Sequence, residues 1–117
     1  MMARAFKKQT ELVRFAPGTP GGARTTMVHL DSAYRKVTGL RIHEFSGGGL
    51  SFFEIGLEDS SGTLVDTESS EVYHYAPEKP WEPVDLSNHG QQLKVKTVLP
   101  SQPSGEVVYQ IVFLLER

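Results

Sequence analysis

The sequence predicts an all-β protein: an antiparallel β-sandwich, wound as a single jelly roll of about eight strands, with an extended N-terminal arm. Three observations lead there. From Glu106 to Arg117, the residues Val107, Tyr109, Ile111, Phe113 and Leu115 alternate onto one face. Val108, Val112 and Leu114 make much of the other face apolar too, the pattern of a strand covered on both sides. Further short alternating segments recur at spacings of roughly 8–12 residues, the interval of sandwiches and barrels. No segment carries the 3.6-residue period of an amphipathic helix.

Each element follows from its local chemistry. Residues 1–22 read as a basic arm with one marginal strand, Glu11 to Phe15, closed by the Pro/Gly-rich break Ala16 to Gly22. Residues 23–117 then form the sandwich domain. Arg24 to Leu30, rich in Thr and Val, is a strand, and Asp31 to Tyr34 a turn with Asp31 placed to cap it. Lys36 to Phe45 puts Leu40 and Ile42 on one face and Arg41 and His43 on the other, and Gly39 within it signals a bulge or a close backbone approach.

The glycine run Gly47 to Gly49 ends that strand. Leu50 to Glu58 carries Phe53, Ile55 and Leu57 on one face, and Asp59-Ser60-Ser61-Gly62 is a hairpin turn leading to a short return strand, Thr63 to Asp66. Glu71 to Tyr75 reads as another short strand. Ala76 to Val84 holds three prolines and reads as an extended loop, and Asn88-His89-Gly90 as a turn. Gln91 to Leu99 turns Leu93, Val95 and Leu99 inward and Gln92, Lys94 and Lys96 outward.

Composition narrows the class. The 117 residues are 38% hydrophobic and 22% charged, a balance that fits one globular domain. With no cysteine, disulfides and thiolate metal sites are excluded. No apolar run approaches the roughly 18 residues of a membrane span, and Met1 to Thr10 lacks the apolar centre of a signal peptide, so a soluble chain is expected. The net charge of −2 hides an asymmetry: Arg4, Lys7, Lys8, Arg14 and Arg24 stand against Glu11 alone before an acidic body. Such an arm suits assembly on an acidic neighbour, and nucleic acid could be reached only through it.

Chemistry is sparsely signalled. His29, His43, His74 and His89 form no metal-ligand motif, even with Glu44 nearby, and no serine sits in a nucleophile elbow. Glu58, Asp59, Asp66, Glu68 and Glu71 lack the spacing of a calcium loop and read as solvated turn charges. The expectation is no metal, no cofactor and no enzymatic activity. Tyr73, Tyr75 and Trp81 are the candidate site: two tyrosines on one face of a strand, then a tryptophan in the loop after it. They would serve as an interface anchor or a sugar-stacking platform, unless Trp81 plugs one end of the sandwich.

The run Leu30-Asp31-Ser32-Ala33-Tyr34-Arg35-Lys36-Val37-Thr38-Gly39-Leu40, with Tyr109-Gln110-Ile111-Val112-Phe113-Leu114-Leu115-Glu116 much later, resembles small virion proteins of bacteriophages. Those are single-domain β-sandwich or jelly-roll proteins serving as capsid vertex, decoration or fibre components. The resemblance implies a structural subunit located in the virion, partnered by copies of itself and neighbouring structural proteins, with its basic arm reaching between them. It carries over no catalytic or ligand residue. A carbohydrate-binding module using Tyr73, Tyr75 and Trp81 is the alternative expectation.

Overall fold

Two four-stranded antiparallel sheets build the protein, seen in a computed structural model that describes residues 5–88 and 92–117. The strands are β1 (Phe6–Phe15), β2 (Gly22–His29), β3 (Lys36–Gly47), β4 (Glu54–Asp59), β5 (Gly62–Ser69), β6 (Glu82–Ser87), β7 (Gln92–Leu99) and β8 (Val107–Glu116). One sheet has the order β1-β8-β3-β6 and the other β2-β7-β4-β5. The pairs β1:β8, β2:β7, β3:β6 and β4:β5 are therefore nested, first strand with last, and successive pairs fall in alternate sheets.

The alternation read in the sequence is the one that packs. Val107, Tyr109, Ile111, Phe113 and Leu115 of β8 are wholly buried and meet Phe53, Ile55 and Leu57 from the β4 side and Leu93, Val95 and Leu99 of β7. The rings of Phe53 and Tyr109 stack across the sandwich with centroids 5.2 Å apart. Tyr109 Oη lies 2.6 Å from Thr97 Oγ1, both completely buried, so the phenol at the centre of this core is satisfied by the opposite sheet. Burial pushes the Tyr109 phenol far above its ordinary range, which keeps it neutral.

Three expectations are corrected. Residues 6–15 are not an arm: all ten pair with β8, from Phe6 opposite Glu116 to Phe15 opposite Val107. The marginal strand at 11–15 is the C-terminal half of a full edge strand, because Val13 and Phe15 enter the core while polar side chains occupy its outer end. Glu71–Tyr75 is not a strand: Ser70–Tyr73 is a single 3-10 turn capped by Ser69, whose Oγ accepts the Glu71 N–H. The segment 76–84 is not loop throughout, since β6 begins at Glu82 and includes Pro83, which is tolerated because β6 is an edge strand. The expected Asn88–Gly90 turn and the start of β7 at residue 91 fall partly outside the described residues, as does His89.

Other expectations hold in detail. The β3 register shifts between Val37 and Gly39 against both neighbours, the bulge that Gly39 signalled. Gly62 takes φ +126° in the β4–β5 hairpin, where Asp59 Oδ1 accepts the Ser61 N–H at 2.8 Å. Buried Asn88 ties the Asp31–Arg35 turn to the end of β6: its Nδ2 donates to the carbonyls of Asp31 (2.9 Å) and Tyr34 (2.8 Å).

Phe113 lies at the middle of this core with no exposed surface. Phe113→Ala should cost about 3–5 kcal/mol in chemical denaturation. A loss within about 0.5 kcal/mol, the scale of a surface substitution, would place the ring outside the core.

Candidate functional site

The outer face of the β1-β8-β3-β6 sheet departs most from what solvent favours. Register places Val108, Gln110, Val112 and Leu114 of β8 there, flanked on one side by Arg14, Leu12, Thr10 and Lys8 of β1. On the other side stand Ser46, His43, Arg41 and Gly39 of β3. Solvated sheet faces are usually polar, yet Val108 and Val112 lie here at 7% and 5% exposure, and Leu12 and Phe6 on β1 are half-exposed. The central strand is thus apolar on both faces, as expected, but its outer face is bordered by side chains rather than covered by a third layer.

The β3 border is built around a bulge. A Cβ on Gly39 would sit 3.2 Å from both Cβ and Cε3 of Trp81 and 3.4 Å from Leu114 Cβ, so the missing side chain is what lets Trp81 lie against the sheet. Arg41, two residues on, stacks its guanidinium 4.1 Å from the Trp81 ring centroid and 5.6 Å from that of Tyr75. Its Nε is buried without a hydrogen-bond partner among the described residues. The stack, more than hydrogen bonding, holds this cation beside Val112.

The three aromatics therefore do not form the expected platform. Tyr73 is 3% exposed and packs in the core, where burial pushes its phenol up to about 12. Tyr75 is 54% exposed, and Trp81 is half-buried with Arg41 on its ring. The two tyrosines diverge because Tyr73 is the last residue of a 3-10 turn, whereas Tyr75 lies beyond it, so they do not share one strand. Tyr75 instead borders an open groove with His43, Glu44, Phe45 and His74. His74 Nε2 stands 3.7 Å from Glu44 there, and no group of three metal-ligating residues occurs among the described residues.

The cations assigned to the arm are dispersed along β1. Lys7 donates to Asp31 Oδ2 at 2.7 Å, Arg14 Nε is 3.6 Å from Glu106, and Lys8 lies on the outer face; Arg4 is outside the described residues. Gln9 adds a second tie, donating to the His29 carbonyl and accepting the Asp31 N–H. These polar contacts join β1 to the end of β2 and replace the apolar packing that this half of β1 lacks.

A cavity bounded by Leu30, Val37, Leu64, Leu86 and Leu93 measures about 30 Å3, room for one water. Sequence reasoning missed Arg41 and the half-exposed pair Phe6 and Leu12. The apolar outer row of β8 was the readable signal for all three, since something must border it. No protein-family model matches the chain, and no curated protein is detectably similar to it.

Trp81 is the sole tryptophan, so its emission reports on this border. Arg41→Ala should open one ring face to water, shifting emission to the red and lowering stability by about 0.5–2 kcal/mol. An unmoved spectrum would show that the stack does not form in solution.

The Lys7–Asp31 pair adds a pH dependence. The hydrogen bond from Lys7, followed by that from the Ala33 N–H, holds the Asp31 carboxyl below its ordinary value of 3.8, and the same pair raises Lys7 above 10.5. A lowered carboxyl pKa stabilises the fold above the ordinary value and loses that contribution as pH falls through the lowered one. Asp31→Asn should melt below the wild type at neutral pH, with the gap closing toward pH ~2–3. A gap that persists unchanged into acid would remove the ion pair as its cause.

Proposed function

We propose that this chain is a non-enzymatic structural subunit that assembles with copies of itself and with neighbouring structural proteins, and that the assembly is a phage virion. The observation that carries the reading is the pair of half-exposed apolar side chains Phe6 and Leu12 on the outer face of the β1 edge, beside the apolar outer row of β8. Large apolar side chains left half in water along a sheet edge mark a surface that another protein can cover.

The nested strand order supports the finer part of the proposal. Pairs β1:β8, β2:β7, β3:β6 and β4:β5 in alternate sheets fit the wrapping of a jelly roll, an architecture shared by many viral capsid domains and also by lectins and cupins. The sugar-binding alternative draws less from the same geometry: Tyr73 is buried, Trp81 carries Arg41 on its ring, and Tyr75 alone is left exposed.

Light scattering on the intact chain tests the proposal. The wild type should exceed its monomer mass of 13.0 kDa, and Phe6→Asp with Leu12→Asp should return it to that mass while keeping the β circular dichroism spectrum. A wild type that stays monomeric across the accessible concentration range would overturn self-assembly.

A further inference from the structure

Two sheets leave four edges, and they are not equally able to accept another strand. Strand β6 is short and carries Pro83, and β5 shifts register twice against β4. Strand β2 is regular but holds Arg24 and no carboxylate, so pairing it with itself offers no charge complement. Strand β1 is different: ten residues, no proline, an unbroken register with β8, and both charge signs.

The direction of its free backbone groups can be assigned. Arg117 N–H donates to the carbonyl of Ala5, which stands opposite it when the β1:β8 register is extended by one residue. In an antiparallel ladder such hydrogen-bonded pairs alternate with non-hydrogen-bonded ones. Lys7, Gln9, Glu11, Val13 and Phe15 therefore bond inward to β8. Phe6, Lys8, Thr10, Leu12 and Arg14 turn their N–H and C=O groups to the open edge.

We propose that β1 pairs antiparallel with β1 of a second copy in a register centred on Gln9, making one continuous eight-stranded sheet. This rests on the assembly reading above and names its partner and contact. A two-fold axis through Gln9 sets Lys8 opposite Thr10 and Phe6 opposite Leu12, all residues whose backbone groups face the edge. On the outer face, the half-exposed Phe6 and Leu12 then cover each other across the interface, once on each side of the axis. On the inner face, Lys7 stands opposite Glu11 twice. Lys7 has three N–H donors, so bonding Asp31 leaves it able to meet this carboxylate.

Neighbouring registers lose these matches. Centring on Lys8 or Glu11 places that charge against its own copy, which is destabilising. Centring on Thr10 sets Lys7 against buried Val13 and Phe6 against Arg14. The Gln9 register alone among them pairs apolar with apolar and cation with carboxylate. It also explains how a long, regular edge strand is kept from open-ended pairing: the two-fold closes the contact on itself.

Three measurements on the full chain test this. The wild type should scatter with twice the 13.0 kDa monomer mass and dissociate more readily as salt rises. Thr10→Pro removes only an edge-facing N–H, so it should keep the β spectrum yet return the protein to monomer mass. Gln9→Cys should form a disulfide-linked dimer on mild oxidation, because the axis brings the two Cβ atoms together in a non-hydrogen-bonded pair. Thr10→Cys, offset from its own copy by two residues, should cross-link much more slowly. The wild type has no cysteine, so any disulfide lies between copies. An oligomer unchanged by Thr10→Pro and not cross-linked through Gln9→Cys overturns the edge pairing, leaves the assembly reading intact and points to face-to-face contact. A wild type that is monomeric throughout overturns both, with the edge then free or serving a strand of another protein.

Discussion

Strand β8 has no free edge. It bonds along its length to β1 on one side and to β3 on the other, and its inner row meets the opposite sheet with no exposed surface. A strand so enclosed can hold a polar group on that row only if the opposite sheet supplies a partner, and Thr97 does so for Tyr109. The registers of β1 and β3 are set against β8, and β6 is in turn set against β3. Three strands thus take their positions from one ten-residue segment.

The nested topology explains why the two ends of the chain cannot be considered apart. The pair β1:β8 joins residues separated by nearly the whole sequence, so the ordering entropy of β1 is offset only once β8 is in place. Viewed alone, residues 6–15 have too little apolar surface to order themselves. Val13 and Phe15 anchor one half, while the other relies on backbone pairing and on the ties from Lys7 and Gln9 to the segment around His29 and Asp31.

That division marks what the sequence could and could not reveal. Strands that bury one apolar row, such as β4, β7 and β8, were legible from period two alone, and the bulge was legible from a glycine, Gly39, inside a strand. The β1 strand was half hidden because the partner that holds it lies at the other end of the chain, and pairing leaves no local trace. In β6 the alternation of Glu82, Val84 and Leu86 against Pro83, Asp85 and Ser87 was present, but Pro83 and the prolines at 77 and 80 outweighed it; an edge strand needs half as many backbone donors as a central one. The turn at Ser70–Tyr73 was misread because Val72 and the flanking tyrosines favour strand, whereas the Ser69 cap and the burial of Tyr73 settle the backbone as 3-10. The aromatic platform failed with it, since its geometry assumed that strand.

The candidate face was legible only as a surplus of apolar residues on the outer side of β8. What the sequence could not supply was its asymmetry. On the β3 side, the bulge at Gly39 makes room for Trp81, Trp81 supports Arg41, and the guanidinium lies beside Val112. The apolar row is thereby bordered by a residue whose charge is delocalised and weakly hydrated, a compromise between water and hydrocarbon. On the β1 side the bordering residues are Leu12 and Phe6, which leave half of their own surface in water, next to backbone groups that face an open edge. Apolar surface in water carries an entropic cost, while the edge backbone groups bonded to water gain modestly when strand replaces water, and a second strand laid along β1 draws on both at once. The β3 border has no such coincidence, because β6 and the bridge from Ile42 to His74 already occupy its edge.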